Sequence, residues 1–130
     1  MRVLVDTHCW LWMQVAPERF SPQVLQLLTA EDNELYLSAA SSWEIAIKYA
    51  LKRLPLPLPP REYVPSRMEA SGVRGLPVEH VHALEAGELP PHHRDPFDRL
   101  LIAQARVEGF PILTADSQLR PYEVEVIWAP

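Results

Sequence analysis

The sequence is short of the residues on which several common chemistries depend. Its one cysteine, Cys9, allows no internal disulfide. Beside an apolar segment, that cysteine reads as a buried thiol in a reducing compartment, the cytoplasm. The four glycines build neither a glycine-rich phosphate loop nor a Gly-x-Ser-x-Gly turn, which argues against P-loop enzymes and serine hydrolases. No apolar run approaches the roughly 20 residues that span a bilayer, so no membrane role is expected. The stretch from Arg2 to Val15 faintly imitates a secretory leader, but Asp6 and His8 interrupt it. A positive excess is missing too: a net charge of -5 argues against wrapping a long nucleic acid by bulk electrostatics. Only the segment from Lys48 to Arg74, with six basic residues against two acidic, is locally cationic. It reads either as a surface for phosphates or an acidic partner, or as a solvated face.

What is present fits one domain of 130 residues with a real core. Arg2 to Val5 is a short β-branched run of the kind buried in parallel sheets, and it stops at Asp6. Ser21-Pro22 starts a helix carrying Val24, Leu25, Leu27 and Leu28, which leads into a strand at Leu35 to Leu37. Trp43, Ile47, Ala50 and Leu54 fall at helical spacing, which predicts an inward face for a helix ending near Leu54. The proline run 55–60 then makes a rigid connection. A weak helix over Tyr63 to Ala70, a strand at Leu76 to Val78 and a helix over His80 to Ala86 ending at Gly87 follow. Asp95-Pro96 caps a helix that stops at Gly109. Strands at Pro111 to Thr114 and Val124 to Trp128 complete an alternating pattern, which implies an α/β fold with a mostly parallel central sheet.

In such sheets ligands bind beyond the carboxyl ends of the strands, where Asp6 and Asp116 lie. Glu44 and Asp98 fall in first helical turns. Each has an innocent explanation: strand termination for Asp6 and Asp116, a capping box from Ser41 for Glu44, and the helix dipole for Asp98. Their joint placement at one sheet edge outweighs these. Two carboxylates about 4 Å apart repel by roughly 4 kcal/mol at an effective dielectric of about 20, so protons or cations must fill a four-acid cluster. Oxygen ligands without a histidine or cysteine array select Mg2+ or Mn2+ over zinc, and such ions serve phosphodiester hydrolysis.

The segments Val-Asp-Thr-His (5 to 8), Ser-Trp-Glu-Ile-Ala-Ile-Lys (42 to 48), His-Arg-Asp-Pro-Phe-Asp-Arg-Leu-Leu-Ile-Ala-Gln-Ala (93 to 105) and Leu-Thr-Ala-Asp (113 to 116) resemble PIN-domain proteins. Among them the match is to the VapC-like ribonuclease toxins of toxin-antitoxin pairs. The resemblance runs from Met1 to Trp128 and implies a three-layer α/β/α fold with about five strands. It makes Asp6, Glu44, Asp98 and Asp116 the metal-binding catalytic acids, while Asp95 either joins them or caps its helix. It implies a metal-dependent endoribonuclease that leaves 5′-phosphate and 3′-hydroxyl ends. A small cognate antitoxin would restrain it, reaching DNA only through that antitoxin, and the chain would form a homodimer.

Thr7, Ser42 and Thr114 are candidate hydroxyls for orienting a carboxylate or water, or else local caps. Lys48, Arg94 and Arg99 are candidate phosphate contacts. Trp10, Trp12, Trp43 and Trp128 either stack on bases or pack in the core or dimer; the segment from Trp10 to Met13 and the 43–54 helix are candidate dimer surfaces. His92-His93 after two prolines reads as a loop whose side chains diverge, not a metal pair. Phosphoaspartate chemistry is a weak rival because His8 stands where the haloacid-dehalogenase pattern needs a second aspartate. The alternative of another class is a noncatalytic PIN-fold binding module acting through a protein or RNA partner.

Overall fold

A computed structural model describes all 130 residues. Five strands, β1 (Arg2–Val5), β2 (Glu34–Ser38), β3 (Val73–Leu76), β4 (Ile112–Thr114) and β5 (Val126–Trp128), form one sheet in the order β3-β2-β1-β4-β5. Every pairing is parallel. Six helices connect and cover them: α1 (Thr7–Val15), α2 (Pro22–Thr29), α3 (Ala39–Ala50), α4 (Pro60–Ser71), α5 (His80–Glu88) and α6 (Pro96–Glu108).

Strand alternation divides the core into two. Val3, Val5, Leu35, Leu37 and Leu113 point to one side, where Cys9, Trp10, Val24, Ile45, Tyr63 and Val64 of α1 to α4 meet them. Leu4 and Ile112 point to the other, against Leu101, Ile102 and Ala105 of α6. The result is the three-layer α/β/α arrangement that the alternating pattern implies. The chain builds outward from β1 to β2 and β3, then crosses back to place β4 on the other flank of β1. The sheet therefore has a switch point between β1 and β4, and a crevice opens beyond their carboxyl ends. No helix is long and apolar enough to cross a membrane.

Several boundaries differ from the sequence reading. The segment after Asp6 is a helix, α1, which the sequence reading did not assign; its apolar residues run almost unbroken and carry no 3.6 period. In α3 the N-cap is Ser38, which accepts from the Ala40 amide at 3.0 Å, so Ser41 and Glu44 are not a capping box. The buried face of α3 is Ala40, Ser41, Glu44 and Ile45, whereas Trp43 is 63% exposed, and the helix ends at Ala50, short of Leu54. Strand β3 sits earlier than expected, and Gly87 lies inside α5 rather than after it.

Candidate active site

The crevice at the switch point holds Asp6 and Asp116, and the charges of Glu44 and Asp6 reach the Asp98 carboxyl. Asp6 leaves β1 directly and caps α1, its Oδ1 accepting from the Cys9 amide at 2.7 Å. Burial raises its pKa above the usual carboxylate value; hydrogen bonds from the Thr114 hydroxyl and from Cys9 oppose that rise. The same burial, with the charge of Asp6, pushes the Cys9 thiol up, which leaves it a protonated core residue. Asp116 stands two residues past β4; its Oδ1 accepts from the Gln118 amide at 2.9 Å, and its own amide donates to Thr114 Oγ1 at 3.0 Å. Asp6 and Asp116 line one cleft of about 260 Å³ together with His8, Trp12 and Ala115.

Asp98 enters from the first turn of α6. Asp95 caps that helix, its Oδ1 accepting from the amides of Phe97 at 2.8 Å and Asp98 at 3.4 Å. Burial pushes the Asp98 carboxyl up to about 7, reinforced by the charges of Asp95, Glu44 and Asp6 and opposed by His93. The reach of Glu44 and Asp6 into that balance puts those acids in the field of Asp98. Glu44 is 2% exposed on the inward face of α3. Its Oε2 accepts from Lys48 Nζ at 2.7 Å one turn on, while Oε1, also buried, has no hydrogen-bond partner in the protein.

His93 was not foreseen at this site. His92-His93 is a loop with diverging rings, as read: His92 is exposed and lies edge-on to Tyr122. His93 turns inward, however, is 8% exposed, and sets Nε2 at 2.9 Å from Asp98 Oδ2 and 3.1 Å from Asp116 Oδ2. Potential ligand atoms of His93, Asp98 and Asp116 all fall within 4.8 Å of one another. The available signal was its place two residues before the cap Asp95, whose amide donates to His93 Nδ1 at 3.2 Å and fixes the ring.

The hydroxyl candidates divide. Thr114 lies between the two strand-end acids, touching both. Thr7 donates instead to Ser41 Oγ at 2.8 Å, tying α1 to α3. Ser42 is two positions from Glu44 and so faces away from it; it lines a groove with Ala46, Pro60, Arg61 and Val64. Among the cations, Lys48 is paired with Glu44, Arg94 is exposed, and Arg99 is withdrawn from any phosphate. The Arg99 guanidinium donates to the carbonyls of Ala86, Leu89, Pro90 and His93 at 2.8 to 3.3 Å, which locks the end of α5 and the following loop onto α6. Of the tryptophans, Trp10 is buried in the core, and Trp12 lies edge-on to Phe20 under the Arg19 guanidinium. Trp43 meets Phe97 edge-on at 5.4 Å, where α3 approaches α6.

Buried carboxylates, one with a free oxygen and another pushed towards neutrality, suit a divalent hard cation bound through oxygen. Known proteins share this chain's sequence pattern and fold. A family model described as PIN domain matches residues 3–124. Over 121 residues the chain is 31% identical to "Ribonuclease VapC22" of Mycobacterium tuberculosis, covering 92% of this chain and 91% of that protein. A shorter stretch of 50 residues is 54% identical to "Ribonuclease VapC16" of the same organism, covering 38% of this chain and 36% of that one. In fold, the chain superposes with a TM-score of 0.73 and 14% identity on a chain from the structure of VapBC2 from Rickettsia felis bound to a promoter DNA fragment, covering 100% of both. Since the family match and the VapC22 alignment each take in most of the sequence, the chain belongs to the PIN-domain family.

Proposed function

We propose that this chain is a metal-dependent endoribonuclease, the toxin of a VapBC-type toxin-antitoxin pair, and that Asp6, Glu44, Asp98 and Asp116 hold its Mg2+ or Mn2+. The observation that carries the reading is Glu44 Oε1, a buried carboxylate oxygen with no partner in the protein, on an acid whose charge reaches the Asp98 carboxyl. Leaving such an atom unpaired costs several kcal/mol in an apolar setting, on the order of the penalty for burying a charge, and a cation removes that cost. Bound there, a hard divalent ion would polarise a phosphodiester and lower the pKa of an attacking water.

The chain's own residues have distinct tasks in this reading. Asp6 and Asp116 are presented by adjacent strands, and Thr114 holds their relative position. Lys48 occupies one oxygen of Glu44 and so directs the other towards the ion. Arg94, exposed beside the α6 cap, is free to meet a phosphate of the RNA. No side chain acts as a nucleophile: water would attack phosphorus as the P–O3′ bond breaks, so the products carry 5′-phosphate and 3′-hydroxyl ends. The partners are a small antitoxin that closes the crevice and a second copy of the chain; contact with DNA goes through the antitoxin. The names of the relatives, ribonucleases called VapC22 and VapC16, support the RNA substrate.

The test is cleavage of RNA by wild type and Asp6→Asn with Mg2+, with Mn2+ and with EDTA. Cleavage that both EDTA and the substitution abolish is expected. Metal-independent cleavage overturns the mechanism, and no cleavage of any RNA favours a binding module.

A further inference from the structure

The ring of His93 is held on every side. Its Nδ1 accepts from the Asp95 amide, its backbone amide donates to the Tyr122 hydroxyl at 2.7 Å, and its carbonyl accepts from Arg99 Nη1 at 3.3 Å. Tyr122 is itself anchored, donating to the Pro90 carbonyl at 2.9 Å. Because Nδ1 accepts a hydrogen bond from a backbone N–H, it carries no proton of its own, and a neutral imidazole then keeps its proton on Nε2. Nε2 is therefore the donor to Asp116 Oδ2 at 3.1 Å, with Asp98 Oδ2 in contact at 2.9 Å, and its lone pair is not available to a metal.

We propose that His93 is a positioning residue of the metal site: its Nε2–H, bonded to Asp116 and in contact with Asp98, brings the α6 carboxylate and the post-β4 carboxylate to a common point without ligating the ion. The inference rests on the metal-site reading above. Two carboxylates facing each other would splay apart, and a shared donor between them offsets that repulsion. Each carboxylate keeps lone pairs beyond the one given to Nε2, so bridging by His93 leaves oxygens free for a cation. Groups that orient metal ligands in this way, when removed, weaken metal binding by roughly 10- to 100-fold.

Three proteins and two readouts test this. In His93→Asn the amide reaches the Nδ1 position and nothing occupies Nε2; in His93→Gln the amide nitrogen reaches the Nε2 position and restores the donor. Mn2+ binding, followed by the electron paramagnetic resonance of the free ion, should weaken by roughly 10- to 100-fold in His93→Asn and recover most of the way in His93→Gln. The pulsed spectrum of Mn2+ on the wild type should show no coupling from a directly coordinated nitrogen. A directly coordinated nitrogen makes His93 a ligand and overturns the proposal, as does a folded His93→Asn that binds Mn2+ as tightly as the wild type. If His93→Asn does not fold, the wild-type nitrogen spectrum still decides. A wild type that binds no Mn2+ at all removes the metal site itself, and the role of His93 with it.

Discussion

Lys48 and Glu44, one helical turn apart on α3, form a pair in which the acid is nearly sealed from solvent and the base reaches it from a partly open position. The ammonium satisfies one carboxylate oxygen and leaves the other buried without a partner in the protein.

Lys48→Met should therefore leave Glu44 with two unpartnered oxygens. We expect a loss of about 1 to 3 kcal/mol in metal-free stability, the cost of an unsatisfied buried group tempered by the partial exposure of the lysine. Urea unfolding measures it, and saturating Mn2+ should recover much of the loss. An unchanged midpoint would mean that Lys48 does not hold Glu44 in solution.

Cation binding to the folded chain alone must stabilise it. At an Mg2+ or Mn2+ concentration 100 times the dissociation constant, the gain is about 2.7 kcal/mol, seen as a rise in melting temperature. Asp98→Asn should raise the melting temperature of the metal-free protein at about pH 8, by removing a repelling charge, and should reduce the gain on adding metal. A melting temperature indifferent to both changes would contradict a tight acidic cluster.

The pH dependence follows from Asp98, whose carboxyl burial pushes up to about 7, with the charge of Asp95 next in effect. The unfolded chain releases that proton near about 3.9. Between these values the folded protein holds a proton that the unfolded chain has lost. The contribution of Asp98 to metal-free stability is thus complete below about 3.9 and is lost as pH rises through about 7. Metal entry expels the same proton, so Mn2+ affinity should rise about tenfold per pH unit up to about 7 and level off above it. Calorimetric titration at several pH values checks the slope, and a flat profile would contradict it.

Arg99 and Arg94 should behave in opposite ways. Arg99→Met removes donors from four carbonyls and should cost about 2 kcal/mol or more of stability. Arg94→Ala should leave the unfolding midpoint in place, weaken RNA binding, and lower the slope of binding against salt by about one charge. Nitrocellulose filter binding at several salt concentrations separates the two. An Arg94→Ala protein with an unaltered salt slope would remove this residue from the RNA path.

Much of this was legible in the residue order. β1, β2 and β4 are short β-branched or leucine-rich runs, and α6 opens on Asp-Pro and closes on Gly109, whose φ of +72° suits the end of a helix. The acids were legible for the same reason: each is pinned to a strand end or to the early part of a helix. What failed was orientation. Trp43 is apolar by type yet faces outward against Phe97, and Glu44 is charged yet faces inward, so a hydrophobic count on α3 chose the wrong face. That rotation also exchanged Ser42 for Ser41 as the serine turned inward. For His93, residue type alone cannot tell which of two adjacent rings turns inward; a single amide of the following cap determines it.

The return of the chain to the middle of its sheet has a consequence for synthesis. β4 is among the last strands to be made, yet its place is beside the first. A polypeptide emerging from the ribosome thus has Asp6 and Glu44 long before it has Asp116, so the proposed metal site cannot close until the last segments slot in. The order of manufacture thus sets the order in which that site's groups come together.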